Sequence, residues 1–247
     1  MDNLTAHKAS EYDQKVRQTI PFYDTIHAEV TRLVKLIKPE VKCWVDTGCG
    51  TGRVAAQALR DFPAAEFILA DPSEAMLVQT RGRLTNCDSA RLTILPPIGS
   101  ADLESHVANN TADVITAIQC HHYMQRPERI KALRACREVL KPGGLFITFE
   151  NIAPRTAEGV RFGLAAWKHF LMDNGRTEQE ADQQIARYGK ELLPITAEEH
   201  LDTLVQAGFG VVEIFWYSQM QAGFYVIKQT QPSINLSRYL NLRYTPP

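Results

Sequence analysis

Short apolar runs alternate along this chain with stretches whose apolar residues recur at helical spacing. The runs Val41–Val45, Phe67–Ala70, Val114–Ile118 and Leu145–Phe149 are each followed by a polar or glycine-rich turn or a helical pattern. Strands that alternate with helices from residue 41 to residue 149 predict βαβ units and a mostly parallel sheet. The fold class predicted is therefore α/β.

A further run, Leu92–Leu95, lies inside this alternating region. It is short and predominantly apolar, which is typical of strands covered on both faces of a parallel sheet. We expect it to be buried on both faces.

The segment before the first strand has a helical pattern from Tyr12 to Ile37. Pro21 lies within it and has no backbone N–H to donate, so we predict two helical pieces with a break there. The second piece should pack on the sheet through an apolar stripe formed by Ile26, Val30, Leu33, Val34 and Ile37.

An insertion separates the strand that ends near residue 149 from the next apolar run near residue 211. Thr156–Asn174 is apolar on one face, and Thr177 and Thr196 each precede a glutamate by three residues, which indicates capping boxes that open two further helices. The third helix, closed by Gly208, belongs to the core. The first two helices would form either a lid over the carboxyl edge of the sheet or an oligomer interface.

The C-terminal part has two apolar stretches, Phe215–Tyr217 and Gly223–Ile227, that indicate a closing hairpin pair. The tail after Lys228 is rich in Gln, Asn, Ser and Pro. Its tyrosines and leucines suggest a segment that docks on the protein.

The most informative segment is the turn after the first strand, which reads Val45-Asp46-Thr47-Gly48-Cys49-Gly50-Thr51-Gly52-Arg53. Glycine is needed where the backbone bends at positive φ or approaches a ligand closely. Such a turn also delivers the ligand to the positive end of a helix. The spacing differs from the G-x-G-x-x-G fingerprint of dinucleotide-binding domains, so a nicotinamide dehydrogenase is disfavoured.

This segment resembles the first motif of class I S-adenosylmethionine (SAM)-dependent methyltransferases. Further landmarks of that family follow in the expected order, from about residue 41 to residue 228: Asp71 with Pro72-Ser73 and Met76-Leu77, Asp113–Ile118, Leu140–Phe149 and Ala207–Ile214. The resemblance implies a Rossmann-like sheet of seven strands, mostly parallel with the last strand antiparallel, helices on both faces, and a helical lid inserted after the fifth strand.

The corresponding domain organisation assigns residues 1–40 to N-terminal helices that line the cofactor site and residues 41–153 to the SAM-binding core. Residues 154–195 form the lid insertion, residues 196–230 complete the core sheet, and residues 231–247 are the tail.

The resemblance also assigns candidate site residues. Gly48, Gly50 and Gly52 would let the backbone approach the amino acid part of SAM, Asp46 would meet its ammonium group or cap the turn, and Asp71 would accept both ribose hydroxyls. The remaining candidates for cofactor binding are Tyr23, Cys49, Pro72, Met76, Ser100, Ala101, Ile118 and Gln119.

The position expected to contact adenine departs from the family pattern. Where members of the family often have Gly-Asp, this chain has Gly99-Ser100-Ala101-Asp102. A serine hydroxyl accepts a weaker hydrogen bond than a carboxylate, and Asp102 is an alternative. Met76 is either an adenine contact or a core residue.

His121 and His122 are candidate catalytic bases, because a histidine near the transferred methyl group could take a proton from the acceptor. On an extended backbone they would point in opposite directions, so at most one faces the pocket. Structural histidines are the alternative. We predict no metal site, since Cys120, His121 and His122 cannot all converge on one ion.

A narrower resemblance connects Pro21-Phe22-Tyr23 and the stretch from Asn174 to His200 with the carboxy-SAM synthases of tRNA wobble-uridine modification. That family holds the extra carboxylate of its product with an arginine in the second inserted helix. Gap-free matching puts Ile185 at that position. Arg187, two residues later, would be rotated by about 200° on a helix and would face elsewhere, which favours ordinary SAM chemistry.

Composition limits the partners. The net charge is −1, which argues against strong attraction to nucleic acid or an anionic membrane but does not exclude tRNA bound by a local patch. Five cysteines without C-x-x-C spacing, and no signal peptide or membrane-length apolar run, predict a cytoplasmic protein with free thiols.

The sequence thus predicts a methyltransferase that transfers the methyl group of its cofactor, S-adenosyl-L-methionine, to a small-molecule acceptor, with a possible homodimer through the lid. A carboxy-SAM synthase-like enzyme of tRNA modification is one alternative. A non-catalytic SAM-binding protein is the other. Candidates to shape the acceptor pocket are Trp167, His169, Tyr188, Trp216 and Glu150.

Overall fold

The computed structural model of the protein describes residues 3–229. The strands are β1 (Cys43–Thr47), β2 (Glu66–Ala70), β3 (Leu92–Ile94), β4 (Ala112–Ile118), β5 (Leu140–Asn151), β6 (Val211–Ser218) and β7 (Gln221–Ile227). The helices are α1 (Tyr12–Lys15), α2 (Tyr23–Ile37), α3 (Arg53–Asp61), α4 (Glu74–Arg83), α5 (Arg126–Val139), α6 (Ala157–Asp173), α7 (Glu178–Ile185) and α8 (Ala197–Gln206). The predicted tail, residues 231–247, lies outside the described residues.

The sheet has the order β3-β2-β1-β4-β5-β7-β6, in which β7 pairs antiparallel with both β5 and β6 and the other pairings are parallel. This confirms the predicted Rossmann-like sheet of seven strands with an antiparallel last strand. From β1 to β3 the strands are added toward one edge of the sheet, and from β4 onward they are added on the other side of β1. The switch point therefore lies between β1 and β4. Ligands of open α/β sheets bind beyond the carboxyl ends of the strands at such a switch point.

Strand β1 lies inside the sheet between β2 and β4, and all of its residues are buried. Trp44 is fully buried, stacks on Phe67 with ring centroids 5.7 Å apart, and meets Phe62 edge-on at 5.4 Å. This packing fixes the strand from which the glycine-rich turn leaves.

Strand β3 does not have the predicted burial. Leu92 and Ile94 are half-buried and Thr93 is exposed. The reason is topological, because β3 is an edge strand whose only sheet neighbour among the described residues is β2. A short apolar run cannot by itself distinguish a central strand from an edge strand.

Strand β5 begins earlier than expected. The predicted strand run starts at Leu145, whereas the structure begins β5 at Leu140. The N–H of Gly143 donates to the carbonyl of Lys228 at 2.6 Å, and the N–H of Lys228 donates to Gly144 at 3.0 Å. Pairing with the end of β7 therefore extends the strand backward.

The N-terminal segment breaks where Pro21 predicted. Short helical turns occupy residues 9–18, Phe22 takes a left-handed backbone with φ of 60°, and α2 starts at Tyr23. The predicted stripe of α2 packs on the sheet, with Ile26, Val30 and Val34 completely buried.

The insertion forms the predicted helices α6 and α7, and both capping boxes, at Thr177 and at Thr196, are present. Trp167 of α6 donates its indole N–H to the carbonyl of Thr19 at 2.8 Å. The insertion therefore packs against the N-terminal segment, and cavities lie between these two parts and the carboxyl ends of β4 and β5.

Candidate active site

The glycine-rich turn places three glycines in the left-handed region, with φ of 69° at Gly48, 56° at Gly50 and 75° at Gly52. A side chain is disfavoured at these angles. At Gly48 a Cβ would also come within 2.6 Å of the Cβ of Cys120. The turn thus needs glycine both for its backbone and for its close approach to the end of β4.

Asp71 lies at the end of β2 and faces the turn. Its Oδ2 accepts the N–H of Gly50 at 2.9 Å, and its Oδ1 accepts the N–H of Ser73 at 2.9 Å. Burial raises the pKa of Asp71, and the two backbone hydrogen bonds oppose that effect. Pro72, beside it, is exposed. The carboxylate is therefore held rigidly next to the glycine loop.

A cavity at the turn, which we name the glycine-loop cavity, brings together many of the predicted residues. Its lining consists of Tyr12, Tyr23, His27, Asp46, Gly48, Cys49, Gly50, Thr51, Arg53, Val54, Ile118 and Gln119. Seven of these, Tyr23, Asp46, Gly48, Cys49, Gly50, Ile118 and Gln119, were predicted as cofactor contacts.

Two lining residues carry buried polar atoms without a hydrogen-bond partner. Asp46 receives a hydrogen bond from Thr116 on Oδ1 at 2.6 Å, while its Oδ2 has none. The side-chain oxygen and nitrogen of Gln119 are likewise unpaired. Burial raises the pKa of Asp46 to about 7, against the hydrogen bond from Thr116 and with a smaller contribution from Asp71. Buried polar groups are normally hydrogen-bonded, so these unpaired atoms are available to a polar ligand.

Sequence reasoning missed Tyr12 and His27. Tyr12 belongs to the short helix α1, and its hydroxyl interacts with that of Tyr23. His27 lies four residues after Tyr23 on the same face of α2, with ring centroids 4.4 Å apart. The helical spacing of Tyr23 and His27 could have revealed the second residue, whereas nothing local marked Tyr12.

The residues predicted for the adenine side lie apart from this cavity. Ser100 is buried, with its hydroxyl 2.8 Å from that of Thr47 and 3.0 Å from Nε2 of His121. Met76 is buried in α4, and Ala101 is half-buried. The Ser100 hydroxyl is therefore engaged with protein groups.

His121 and His122 lie in a 3-10 turn, not on the extended backbone that was expected. Their side chains nevertheless separate. His121 interacts with Ser100 and stacks on Phe146, whereas His122 lines a second cavity. Burial lowers the pKa of His121 to about 4.

His122 is oriented by a buried carboxylate. Oε2 of Glu150 lies 2.8 Å from Nδ1 of His122 and also accepts the backbone N–H of His122 at 2.9 Å. Oε1 accepts the hydroxyl of Thr148 and the N–H of His121. Burial alone would raise the pKa of Glu150, but the hydrogen bond and charge of His122 lower it to about 2. When His122 is neutral, an ionised Glu150 keeps its proton on Nδ1, and Nε2 then accepts from the side-chain amide of Asn151 at 3.4 Å.

The second cavity, which we name the N-terminal cavity, is lined by Thr5, Ala6, His7, Tyr12, Val16, Thr19, Ile20, Gln119, His122, Tyr123, Asn151, Trp167, Gln184, Arg187 and Leu192. It shares Tyr12 and Gln119 with the glycine-loop cavity. Among the described residues that line it, Arg187 is the one Arg or Lys, and no Asp or Glu is present.

The expectation that Arg187 faces elsewhere was wrong. Helix α7 ends at Ile185, so a rotation of 100° per residue does not carry on to Arg187. Arg187 is buried, donates to Oε2 of Glu191 at 2.8 Å and to the carbonyl of Leu4 at 2.7 Å, and interacts with the hydroxyl of Tyr123. Ile185 packs against the apolar cluster around Trp167.

The candidates for the acceptor pocket divide into two groups. Trp167 and Tyr188 line a third cavity, with Trp167 also facing the N-terminal cavity. The other three lie elsewhere: Trp216 packs against Phe22 and Phe149, His169 is exposed, and Glu150 is buried behind His122.

Within residues 3–229 no group of three or more His, Cys, Asp or Glu side chains could hold a metal ion. None of the helices formed by these residues is long and apolar enough to cross a membrane. The cysteines at positions 43, 49, 87, 120 and 136 are free.

Residues 45–146 match the profile of a methyltransferase domain. The matched region begins in β1 and ends in β5, so it includes the glycine-rich turn, Asp71 and both histidines. The insertion and the N-terminal segment lie outside the match.

Relatives and solved structures extend this likeness. The chain is 26% identical to a carboxy-S-adenosyl-L-methionine synthase of Alteromonas mediterranea, over 83% of this chain and 84% of the relative. It is 27% identical to a protein of the same name from Geobacter metallireducens, with the same coverage.

Among solved structures, a Nostoc punctiforme protein described as an O-methyltransferase superposes with a TM-score of 0.60 at 16% identity, covering 83% of this chain. The chain spans 56% of that protein, little more than half of its length. A chain from the complex of the Haloferax volcanii Trm112 methyltransferase activator with its candidate methyltransferase gives a TM-score of 0.60 at 16% identity, over 91% of this chain and 99% of that one. At these identities the likeness shows the fold.

The glycine-loop cavity suits SAM, the cofactor that class I methyltransferases use. SAM carries an ammonium group, which complements the unpaired Oδ2 of Asp46, and a carboxylate, which complements the backbone N–H groups at the start of α3. The left-handed glycines carry no Cβ that would stand between the backbone and the ligand. The residues present therefore fit the cofactor.

Proposed function

We propose that the protein binds SAM beyond the carboxyl ends of β1, β2 and β4 and transfers its methyl group to a small-molecule acceptor in the N-terminal cavity. The observation that carries this proposal is the glycine-loop cavity. Two left-handed glycines, Gly48 and Gly50, line it together with Asp46, whose Oδ2 is buried and unpaired.

Each of these groups has a distinct task in binding. Asp46 pairs with the ammonium of the methionine part, and Asp71 accepts the ribose hydroxyls while it holds the N–H of Gly50. Bound SAM supplies an activated methyl group on a sulfonium. The chain then has to hold the acceptor in line with that methyl group and exclude water, which can lower the barrier by roughly 7–11 kcal/mol.

His122 is suited to take the acceptor's proton. Its Nδ1 is committed to Glu150 at 2.8 Å, and its ring lines the N-terminal cavity. A base oriented by a buried carboxylate contributes on the order of 10²–10⁴-fold to rate. His121 is turned toward Ser100, so we assign the proton to His122.

A second candidate function is the synthesis or use of a carboxylated SAM. Arg187 favours it, because this buried guanidinium lines a cavity that adjoins the glycine loop and contains no carboxylate. The curated relatives named above carry the name carboxy-S-adenosyl-L-methionine synthase. The bond from Arg187 to Glu191 would have to yield to the ligand carboxylate.

Mass spectrometry of the ligand that the protein retains through purification tests both functions. Methyl transfer predicts SAM or its demethylated product. The second candidate predicts the carboxylated relative, which the Arg187→Met variant should lose while SAM binding persists. Lys190→Met, three residues away at an exposed position, is the matched control.

Incubation with methyl-labelled SAM and a metabolite extract tests turnover directly. Label should appear in a small molecule, and the screen identifies it. SAM binding without any label transfer would leave a non-catalytic SAM-binding protein. Thermal stabilisation by NAD and not by SAM would overturn the proposed cofactor.

A further inference from the structure

Gln119 has a backbone conformation that residues with side chains rarely adopt. Its φ is 57°, in the left-handed region. It follows directly after β4, and its N–H donates to the carbonyl of Phe149 on β5 at 2.7 Å. Strain of this kind persists where the surrounding structure fixes it, and it clusters at ligand sites.

The side chain of Gln119 is also unsatisfied. Both Oε1 and Nε2 are buried without a hydrogen-bond partner. An amide left unpaired in the interior destabilises a fold, and such groups call for an explanation. At this one residue the backbone and the side chain both oppose stability, which is typical of a residue retained for binding.

The position of Gln119 indicates which ligand it serves. It lines the glycine-loop cavity, together with Asp46, and the N-terminal cavity, together with His122. Tyr12 is the other residue that lines both. The amide therefore lies at the junction where the methyl group has to pass from cofactor to acceptor.

We infer that the Gln119 side chain binds the methyl acceptor and selects one whose nucleophilic atom carries a proton, a hydroxyl or an N–H group. This rests on the proposed function. Oε1 accepts that O–H or N–H, and Nε2 donates to a neighbouring lone pair of the acceptor. An acceptor with a bare carbon or thioether nucleophile would leave the amide unpaired and is rejected for that reason.

The transfer step balances without a further reactant. The acceptor's lone pair forms the new bond to the methyl carbon as the carbon–sulfur bond breaks with its electron pair going to sulfur. A neutral amide does not take up the acceptor's proton, so the single proton of a hydroxyl leaves Oε1 of Gln119 and passes to Nε2 of His122 as the new bond forms, whereas an amine donates one N–H to each group. Gln119 orients the nucleophile, and His122 removes the proton.

The Gln119→Met variant tests the inference, because it keeps the length of the side chain and removes the amide. We expect SAM affinity, measured by titration calorimetry, to stay within about threefold of the wild type. Label transfer from methyl-labelled SAM to the metabolite extract should fall by about a hundredfold or more. Gln57→Met, on the outer part of α3, should leave both unchanged.

Two results would overturn the inference in that assay. Unchanged transfer by Gln119→Met would show that the amide does not bind the acceptor. A loss of SAM affinity of about tenfold or more would assign the amide to the cofactor.

Thermal unfolding without ligand gives a second test that does not depend on turnover. Gln119→Gly removes the backbone strain and the unpaired amide, so the melting temperature should rise by about 2–4 °C, whereas Gln57→Gly inside a helix should lower it. If the wild type binds SAM but transfers no label, the proposed function fails. The melting temperatures still decide whether Gln119 destabilises the fold, as a residue retained for binding does. A lower melting temperature of Gln119→Gly would then show a purely structural residue and overturn the inference.

Discussion

Oδ2 of Asp71 accepts the backbone N–H of Gly50 at 2.9 Å. This bond joins the end of β2 to the turn that follows β1, across the point where the ribose of a nucleoside cofactor would lie. The carboxylate that anchors the glycine loop is thus also the group proposed above to accept the ribose hydroxyls. Its removal affects both.

Replacing Asp71 with Ala should weaken SAM binding by about 1–3 kcal/mol, the effect of losing a charged acceptor in a buried site. Titration calorimetry measures the change. Asp202→Ala, at an exposed position on α8, is the control and should bind SAM as the wild type does. An affinity of Asp71→Ala equal to that of the wild type would remove Asp71 from the ribose site.

Below neutral pH, we expect Asp46 to release a proton when SAM binds. Burial raises its pKa to about 7 in the free protein, so at pH 6 the carboxyl is mostly protonated, and pairing with the ligand ammonium favours its ionised form. Affinity should therefore fall as the pH drops from 7 to 5, by up to about tenfold per unit. Calorimetry in buffers of different ionisation enthalpy counts the proton.

Asp46→Asn provides the control for that measurement. An amide has no proton to release, so both the released proton and the pH dependence of SAM affinity should disappear.

The pH dependence of the stability of the free protein gives a second check on the pKa of Asp46. A folded pKa above the unfolded one means that the contribution of Asp46 to stability is present below about pH 4 and is lost as pH rises through about 7. Release of a proton by Asp46→Asn would assign the titration to another group.

Two alanine substitutions in the glycine loop should differ in a predictable order. At Gly50 an added Cβ meets nothing within 4 Å, so Gly50→Ala carries only the backbone strain of a positive φ, about 1–2 kcal/mol. At Gly48 the Cβ would also come within 2.6 Å of Cys120. Gly48→Ala should therefore unfold at lower urea concentration than Gly50→Ala. The reverse order would contradict the turn geometry.

Glu150→Gln should separate catalysis from cofactor binding. The variant loses the charge that holds the proton of His122 on Nδ1, so label transfer should fall by about 10²–10⁴-fold with SAM affinity unchanged. Equal transfer by wild type and variant would exclude the assigned base.

The same variant makes a prediction for acid stability. The folded pKa of Glu150, about 2, lies below its ordinary value, so its contribution to stability is present above about pH 4.5 and is lost as pH falls toward 2. Wild type and Glu150→Gln should therefore differ most in melting temperature near neutral pH and converge in acid. Thermal melts between pH 7 and pH 2 measure this.

Local patterns in the sequence were sufficient for the elements and their order. The glycine spacing at Gly48, Gly50 and Gly52 predicted a turn of positive φ, and the structure has it. The capping boxes at Thr177 and Thr196 predicted two helix starts for the same reason. Each of these signals depends on residues within a few positions of one another.

Other expectations failed where residues far apart in the chain determine the burial or the orientation of a side chain. Leu92 and Ile94 have the composition of a central strand, but the sheet order puts them at an edge. Arg187 was assigned by helical rotation from Ile185, and the end of α7 between them cancelled that reasoning.

The sequence by itself determined the class of fold, the glycine loop and the carboxylates at the ends of β1 and β2, because adjacent residues specify strands, turns and caps. The tertiary structure alone decided that Tyr12, Gln119 and Arg187 border one cavity, and that Glu150 holds His122. These side chains come from segments far apart in the chain, and their meeting depends on how α1, the insertion and the ends of β4 and β5 pack together. Packing of that kind is set by the summed burial of many side chains and leaves no local signature.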